Sequence, residues 1–284
     1  MRIALRVLIA CIVLFTQTPI TPASAQATSD SAISYKGRKL VWADEFTKNG
    51  RPSRRNWTYE TGFVRNRELQ WYQPNNAWCQ DGLLIIEARR ERKRNPNYDP
   101  NYNPKGSNWR APRQYAEYTS ASLMTKGLHA WKYGTFEMRA RIDTRKGLWP
   151  SFWTLGVAGK WPRNGEIDIL EYYLGALHAN VWWGWVKKWD LSRKPIADFN
   201  DPNWSKKFHV WRMDWNAYRI NIFVDDILLN TTELKNTYDG HGKNPLRKPH
   251  YLLLNMAVGG RNGGNSSNTT FPARFEVDYV RVYQ

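Results

Sequence analysis

The chain has 284 residues, of which 42% are hydrophobic and 14% aromatic, and sixteen are tryptophan. This composition excludes an intrinsically disordered chain, and the length suits one large β domain or two small ones. The formal net charge of +17 favours polyanionic partners, among them nucleic acid and acidic polysaccharide, although a solvated basic surface without a partner is an equal alternative.

The N-terminus has the pattern of an export signal. A basic start precedes an apolar run over residues 7–15, which is too short to span a bilayer, and small residues surround Ala25. We therefore predict a signal peptide over residues 1–25 and a polar leader over residues 26–37. The mature protein should be secreted or periplasmic, without stable membrane insertion.

The rest of the chain, residues 38–284, is predicted to be one all-β domain. Residues 136–142 alternate apolar and charged side chains, and no long segment has a helical period. We predict strands over residues 83–88, 136–142, 151–155, 219–225, 251–258 and 275–283. Many short strands with short turns indicate a sandwich or a barrel. Only Cys79 follows the signal, so an internal disulfide is excluded.

Two basic segments, residues 91–113 and 187–207, do not have a strand pattern. Each is rich in Asn, Pro, Lys or Arg, and each is long for a connection inside one domain. Irregular segments of this length are usually functional. We therefore expect them to contribute to a binding site.

The acids Glu166, Asp168 and Glu171 form the most informative cluster. On a regular strand Glu166 and Asp168 share one face, whereas Glu171 falls on the apolar face with Ile167. Burying an unpaired carboxylate there would be costly. We therefore predict a β-bulge near residues 169–170, which returns Glu171 to the face of the other two acids.

Three carboxyls on one face repel each other and shift each other's pKa. A retaining glycoside hydrolase uses such a group, because one carboxylate attacks the sugar while another carboxyl protonates the leaving oxygen. A solvated acidic surface and a metal site are the alternatives for the bare pattern.

Seven ordered blocks resemble glycoside hydrolase family 16, in its laminarinase-like branch. The blocks extend from near residue 38 to the C-terminus: WADEF at 42–46, NRELQ at 66–70, YGTFEMR at 133–139, GLWPSFW at 147–153, GEIDILE at 165–171, LNMAVGG at 254–260 and VDYVRVY at 277–283.

The resemblance implies a β-jelly-roll sandwich of two antiparallel sheets with a concave cleft. It also implies an endo-acting retaining hydrolase of β-1,3- or mixed β-1,3/1,4-glucan, with Glu166 as nucleophile, Asp168 as its helper and Glu171 as acid/base. Catalysis needs no cofactor. By matched position, the residues expected to line the cleft are Asn66, Glu137, Arg139, Trp149, Trp161 and His178.

The family commonly holds a structural calcium ion on the convex side. By matched position its ligands would be Glu45, the Gly82 carbonyl and Asp278, which are oxygen donors of the kind calcium prefers. We expect Trp153, by contrast, to be a core residue.

One departure from the family pattern leaves the substrate open. Laminarinases often carry a tryptophan after the Ala-Val-Gly-Gly stretch, whereas Arg261 follows it in this chain. Trp182, Trp183 and Trp185 could supply stacking platforms instead. The alternatives are an endo-β-galactanase acting on a sulfated or host galactan, a transglycosylase, and a non-catalytic carbohydrate-binding jelly roll. Nucleic acid is not expected as a partner, because the acids would repel phosphate, and a monomer is expected.

Overall fold

Two packed β-sheets position the acidic strand. The computed structural model describes residues 34–35, 37–103, 105–184 and 188–284. The strands in chain order are β1 Ser34–Tyr35, β2 Arg38–Asp44, β3 Thr58–Tyr59, β4 Gln70–Tyr72, β5 Ala77–Gln80, β6 Leu83–Ala88, β7 Lys93–Arg94, β8 Tyr115–Ala116, β9 Tyr118–Ser120, β10 Ser122–Met124, β11 Gly134–Ile142, β12 Leu148–Gly156, β13 Glu166–Tyr173, β14 Ala176–Trp182, β15 Trp189–Pro195, β16 His209–Trp215, β17 Arg219–Val224, β18 Ile227–Glu233, β19 His250–Val258 and β20 Ala273–Tyr283.

Helical structure in the described residues is confined to short turns. The helix α1 covers Gly260–Gly263, and the 3₁₀ turns cover Pro74–Asn76, Ile196–Phe199, Trp204–Lys206, Leu234–Asn236 and Pro245–Arg247. Over the same residues, no helix has the length and apolar character needed to cross a membrane.

The two large sheets are antiparallel. Seven strands of the nine-stranded sheet have the order β1-β2-β20-β11-β16-β17-β18. The other two are β6, which pairs with β20, and β5, which pairs with β6. The seven-stranded sheet has the order β15-β14-β13-β12-β19-β10-β3. Neighbouring strands run antiparallel in both. The predicted all-β antiparallel sandwich is therefore confirmed.

The core lies between the sheets and is built by strand alternation. Phe136 and Met138 of β11 are fully buried from one side, and Phe152 of β12 and Ile167 of β13 are fully buried from the other. All four belong to one hydrophobic cluster. Burying each of these side chains stabilises the fold by about 1.5–3 kcal/mol. The alternate residues of β12 and β13 are thereby directed to the outside of the sandwich.

The six predicted strands correspond to β6, β11, β12, β17, β19 and β20; β6 has the predicted bounds, and each of the others differs by one to three residues at one or both ends. The prediction of an irregular segment over residues 187–207 was wrong in part, because it contains β15, which pairs with β14. This strand lies at the sheet edge, and its Leu191 is 54% exposed. An edge strand with little burial has the polar composition of a loop, which is why the sequence pattern missed it.

The N-terminal predictions concern residues that are mostly outside the described ranges. The signal peptide over residues 1–25 stays a prediction, as does most of the leader. Ile33–Gln284 forms one compact unit. The end of the leader is not an irregular tail, since β1 pairs with β2 at the edge of the nine-stranded sheet.

Candidate active site

A bulge in β13 brings the three acids onto one face. The strand pairing with β12 skips Ile169, which is the extra residue. The register with β14 shifts over the same stretch, between Asp168 and Glu171. Glu166 and the other two acids consequently line one cavity, whereas Ile167 and Ile169 are buried in the core. The predicted bulge is confirmed.

The cavity has a volume of about 430 Å³ and lies on the outer face of the seven-stranded sheet. Its floor comes from β12, β13 and β19, and its walls come from three separate loops. Besides the three acids, the lining residues are Val64, Arg65, Asn66, Glu68, Arg110, Trp149, Ser151, Trp153, Leu155, Trp161 and Asn255. Aromatic faces beside a few converging polar groups are typical of a carbohydrate or small-molecule site.

Hydrogen-bond donors converge on Glu171. The indole Nε1 of Trp149 donates to its Oε1 at 2.8 Å, and Nδ2 of Asn180 donates to its Oε2 at 3.3 Å. A third bond joins Glu171 to Asp168, whose side chain is only 2% exposed. Glu166 receives a hydrogen bond from the indole of Trp161. Each glutamate therefore has its own tryptophan donor.

Burial raises the pKa of all three carboxyls, and mutual repulsion raises it further for Glu166 and Asp168. The pKa of Glu166 rises to about 8 because of burial and the charge of Glu171, and that of Glu171 rises to about 7 because of burial. The pKa of Asp168 is raised well above its ordinary value, by burial and then by both glutamates. The cluster therefore retains protons near neutral pH, as an acid catalyst requires.

Arginines of the basic segment 91–113 hold one cavity wall in place. Nε of Arg110 donates to the Phe63 carbonyl at 2.6 Å, and Nη1 of Arg113 donates to the Glu68 carbonyl at 2.6 Å. These bonds fix the stretch that carries Arg65, whose guanidinium lies 4.9 Å from the ring centroid of Trp153. As expected for a long basic segment, it contributes to the site.

The turn after β19 packs against the same wall. The backbone N–H of Arg261 donates to the Asn66 carbonyl at 2.9 Å. Gly260 has a φ of +74°, and a Cβ there would lie 2.8 Å from the Asn66 carbonyl oxygen. Only glycine fits this approach without strain. The Arg261 side chain is exposed and does not line the cavity.

Three of the predicted cleft residues, Asn66, Trp149 and Trp161, line the cavity. His178 pairs in register with Glu171 but does not line the cavity, and its ring stacks on Tyr173 with centroids 3.8 Å apart. Burial lowers the pKa of His178 to about 4, so its imidazole is neutral near pH 7.

Tryptophans extend the site along the sheet. The ring of Trp182 lies 6.5 Å from that of Trp161 and 5.0 Å from that of Trp189. Trp182 therefore belongs to a row of indoles suited to stacking against sugars. Trp183 is instead buried in the core, and Trp185 lies outside the described residues.

The prediction that Glu137 and Arg139 line the cleft was wrong. Both lie on β11 of the nine-stranded sheet, opposite the sheet that carries the acids. Glu137 accepts a hydrogen bond from the Tyr279 hydroxyl at 2.9 Å, and Arg139 forms an ion pair with Asp278. Strand alternation directs both side chains away from the core. On the nine-stranded sheet, the face away from the core is the face of the sandwich opposite the cavity.

Trp153 is a core residue as expected, in a small buried cluster with Tyr251 and Leu253. The sequence pattern did not indicate that it also lines the cavity, nor that Arg65, Glu68 and Asn255 do. Trp153 lines the cavity and donates from Nε1 to Asn255 Oδ1 at 2.8 Å. Its parity with Trp149 on one strand was the available signal. Glu68 adds a fourth, 2%-exposed carboxyl whose pKa is raised by burial.

The residues predicted to bind calcium have arginine partners. Glu45 accepts two hydrogen bonds from Arg281, at 2.7 and 2.9 Å, and Asp278 pairs with Arg139. Within the described ranges, no three His, Cys, Asp or Glu side chains form a group that could hold a metal ion. As arranged, these carboxylates do not fit a cation, so the expected calcium ligands are not assembled in this structure. Calcium binding itself is tested by the melting experiment described below.

The family model of glycosyl hydrolases family 16 matches residues 103–281. The Beta-glucanase of Rhodothermus marinus is 36% identical over 266 residues, which cover 87% of this chain and 85% of that protein. Glucan endo-1,3-beta-glucosidase A1 of Niallia circulans is 32% identical over 90% of this chain, which spans only 39% of that relative.

A solved structure from the endo-acting O-glycanases with which prominent members of the human gut microbiota initiate mucin breakdown is also similar. It superposes with a TM-score of 0.78 at 32% identity, over 88% of this chain and 91% of that one.

Trp149→Phe should raise the pKa of Glu171. The indole N–H favours the ionised carboxylate, so its loss favours the protonated form, by about one pH unit for a charge-assisted bond. Side-chain ¹³C NMR titration of the glutamates measures the change. Trp153→Phe is the matched control, since its indole donates to Asn255. An unchanged or lowered Glu171 pKa in Trp149→Phe, or an equal rise in both variants, would contradict the assignment.

Calcium should leave the melting temperature unchanged, because both carboxylates are neutralised by arginines. A site filled at a hundred times its Kd would add about 2.7 kcal/mol of stability and raise Tm by about 5 °C or more. Thermal unfolding in EDTA and in excess calcium distinguishes the two cases. A calcium-dependent rise that Glu45→Gln removes would show that the arginines give way to the ion.

Proposed function

The chain belongs to glycosyl hydrolases family 16, and we propose that it is an endo-acting retaining hydrolase of β-1,3- or mixed β-1,3/1,4-glucan. The observation that carries the proposal is the set of three carboxyls on one face of the bulged strand β13, inside a cavity lined by indoles. The relatives named as β-glucanase and endo-1,3-β-glucosidase support the substrate class.

In the first step, the Glu166 carboxylate attacks the anomeric carbon and forms a glycosyl ester. The bond from that carbon to the bridging oxygen breaks, and Glu171 transfers its proton to this oxygen as the leaving sugar departs. The raised pKa of Glu171 keeps the proton available near neutral pH. The Trp149 indole then stabilises the carboxylate that this transfer creates.

In the second step, water enters the position of the leaving sugar. The Glu171 carboxylate removes one proton from water, whose oxygen attacks the anomeric carbon and expels the Glu166 carboxylate. Two displacements on the same carbon retain its configuration. A sugar hydroxyl in place of water would give transglycosylation by the same proton movements.

Matched position in the family motif supports the two roles, because burial raises the pKa of both glutamates and the higher pKa, that of Glu166, does not mark it as the nucleophile. The Trp161 hydrogen bond and the charge of Arg65 both favour ionised Glu166, as a nucleophile requires. Asp168 is hydrogen-bonded to Glu171 and lies between the two glutamates along the strand. It is suited to hold a proton and to limit the negative charge of the cluster.

The row of indoles supports binding within a long polysaccharide. Trp161 is 53% exposed and Trp182 and Trp189 continue the row beyond the carboxyls. Sugars stack on such rings through their apolar C–H faces. A site whose stacking rings extend beyond the cleavage point favours the cleavage of internal over terminal bonds.

A second candidate is an endo-β-galactanase acting on a sulfated or host galactan. It uses the same carboxyls and is favoured by the net charge of +17. The similar solved structure from the mucin-degrading O-glycanases also supports it. A non-catalytic carbohydrate-binding role is disfavoured by the complete set of acids.

Export is also proposed, from the signal pattern over residues 1–25. The secreted mature protein should begin at Gln26, which N-terminal sequencing reads directly.

Product analysis on laminarin and on a sulfated galactan such as carrageenan tests the substrate. We expect short β-1,3-linked oligosaccharides from laminarin, with the chain length falling early, as internal cleavage requires. Cleavage of the galactan alone would keep the mechanism and replace the substrate. Intact polymers in both reactions would leave a binding role, provided that binding to either polymer is detected.

Azide rescue tests the two roles with an aryl β-glycoside whose leaving group needs no protonation. Glu166→Ala and Glu171→Ala should each lower turnover of the polysaccharide by more than about a thousandfold. Azide should enter the nucleophile space of Glu166→Ala and give the α-glycosyl azide. In Glu171→Ala it should replace water and give the β-glycosyl azide. Reversed configurations would exchange the assignments.

A further inference from the structure

A second, larger cavity lies beside the catalytic cavity. Its volume is about 1060 Å³, and it is formed by the loop over residues 157–165 and the segment 238–249. The two walls are joined by the backbone, since the Val157 N–H donates to the Pro249 carbonyl at 3.1 Å. The proposed mechanism uses none of the residues that line this cavity.

The second cavity is strongly cationic. Five of its lining residues are Lys160, Arg163, Lys243, Arg247 and Lys248, against the single acid Asp239. In the part of the chain that the structure describes, no ion pair joins Lys160, Lys243, Arg247 or Lys248 to a carboxylate.

Asp239 does not neutralise this charge fully. Its Oδ1 accepts hydrogen bonds from the backbone N–H groups of His241 and Lys243, at 2.8 and 2.9 Å. Both hydrogen bonds lower the pKa of Asp239, and the bond from Lys243 has the larger effect. The Asp239 carboxylate is therefore bound to the backbone of its own loop. The side chains of Lys243 and Lys248, in the same segment, are exposed.

Two polar atoms of this cavity's lining residues lack partners among the described residues. Arg247 Nε, a donor, and Asn164 Oδ1, an acceptor, are both buried without a hydrogen bond. A buried polar group without a partner is costly, so a ligand that supplies both an acceptor and a donor fits the site. The exposed ring of Tyr238 adds a flat face beside them.

One loop serves both cavities. Trp161 lines the catalytic cavity, while its chain neighbour Lys160 lines the cationic one. The loop is closed at its base, where the Gly156 N–H donates to the Gly165 carbonyl at 3.1 Å. A glycan that stacks on Trp161 therefore runs within a few ångströms of the backbone that forms the cationic wall.

We propose that this cavity is an anion-binding subsite that takes a sulfate ester or carboxylate of an acidic glycan bound in the adjacent cleft. The cations and Arg247 Nε bind the anionic group, and Asn164 Oδ1 accepts from a sugar hydroxyl. A glycan fits better than a nucleic acid, because a glycan can place one anionic group in the cationic cavity while uncharged sugars lie over the three carboxyls, whereas a nucleic acid carries a phosphate on every nucleotide. The inference rests on the proposed function for its ligand class.

Binding is measured with the full chain carrying Glu166→Gln, so that the probes are not cleaved. The probes are laminarin, sulfated laminarin and carboxymethyl laminarin of equal length and substitution, and a single-stranded DNA oligonucleotide. The test variant is Lys243→Ala/Lys248→Ala. The matched control is Lys39→Ala/Lys48→Ala, which removes the same charge from exposed positions outside both cavities.

At low salt, an anionic laminarin should bind about tenfold more tightly than laminarin, and the difference should shrink as salt screens the site. The test variant should lose most of this difference, and the control should keep it. Whichever of the two derivatives binds more tightly identifies the anionic group.

Equal losses in both variants would reduce the effect to net charge and overturn the subsite, as would equal affinity for all three laminarins. DNA binding that is lost only in the test variant would replace the glycan with a nucleic acid. Hydrolysis of laminarin by the unmodified protein is measured separately. Hydrolysis of laminarin without tighter binding of the anionic laminarins overturns only this inference. Tighter binding of the anionic laminarins without hydrolysis of laminarin overturns only the proposed function.

Discussion

One extra residue in β13 decides what the rest of the molecule can do. Without the bulge at Ile169, strand alternation would direct Glu171 into the core, where an ionised carboxylate is unstable. With it, the core side keeps an unbroken apolar surface, and three acids gather on the other side. The same backbone irregularity thus satisfies the packing of the sandwich and creates its chemistry.

Collecting the acids raises a second problem, because buried carboxyls oppose each other's ionisation. Hydrogen-bond donors offset this opposition: Trp149 and Asn180 bond to Glu171, and Trp161 bonds to Glu166. The tryptophans therefore have two roles, as stacking surfaces and as hydrogen-bond donors. The raised pKa values that remain leave protons in the cluster, and acid catalysis depends on such protons.

The surrounding protein is basic, yet its arginines act locally and specifically. Arg110 and Arg113 bind backbone carbonyls of the 63–69 wall, and Arg281 and Arg139 bind the acids of the opposite sheet. A large net charge therefore says little about any one site until the partners of each side chain are known. The cationic cavity beside Trp161 stands out because four of its basic side chains lack carboxylate partners among the residues that the structure describes.

The sequence by itself determined much of the fold and the centre of the site. Strand alternation placed β11 and the other core strands, and the cost of a buried carboxylate required the bulge, because both are local consequences of the backbone. Only the tertiary structure decided which sheet each polar face joins. Glu137 alternates as regularly as Trp149 does, but β11 pairs into the far sheet, and nothing in its own residues records that pairing. Arg65 and Asn255 likewise enter the cavity through contacts between segments distant in the chain, which no local period can reveal.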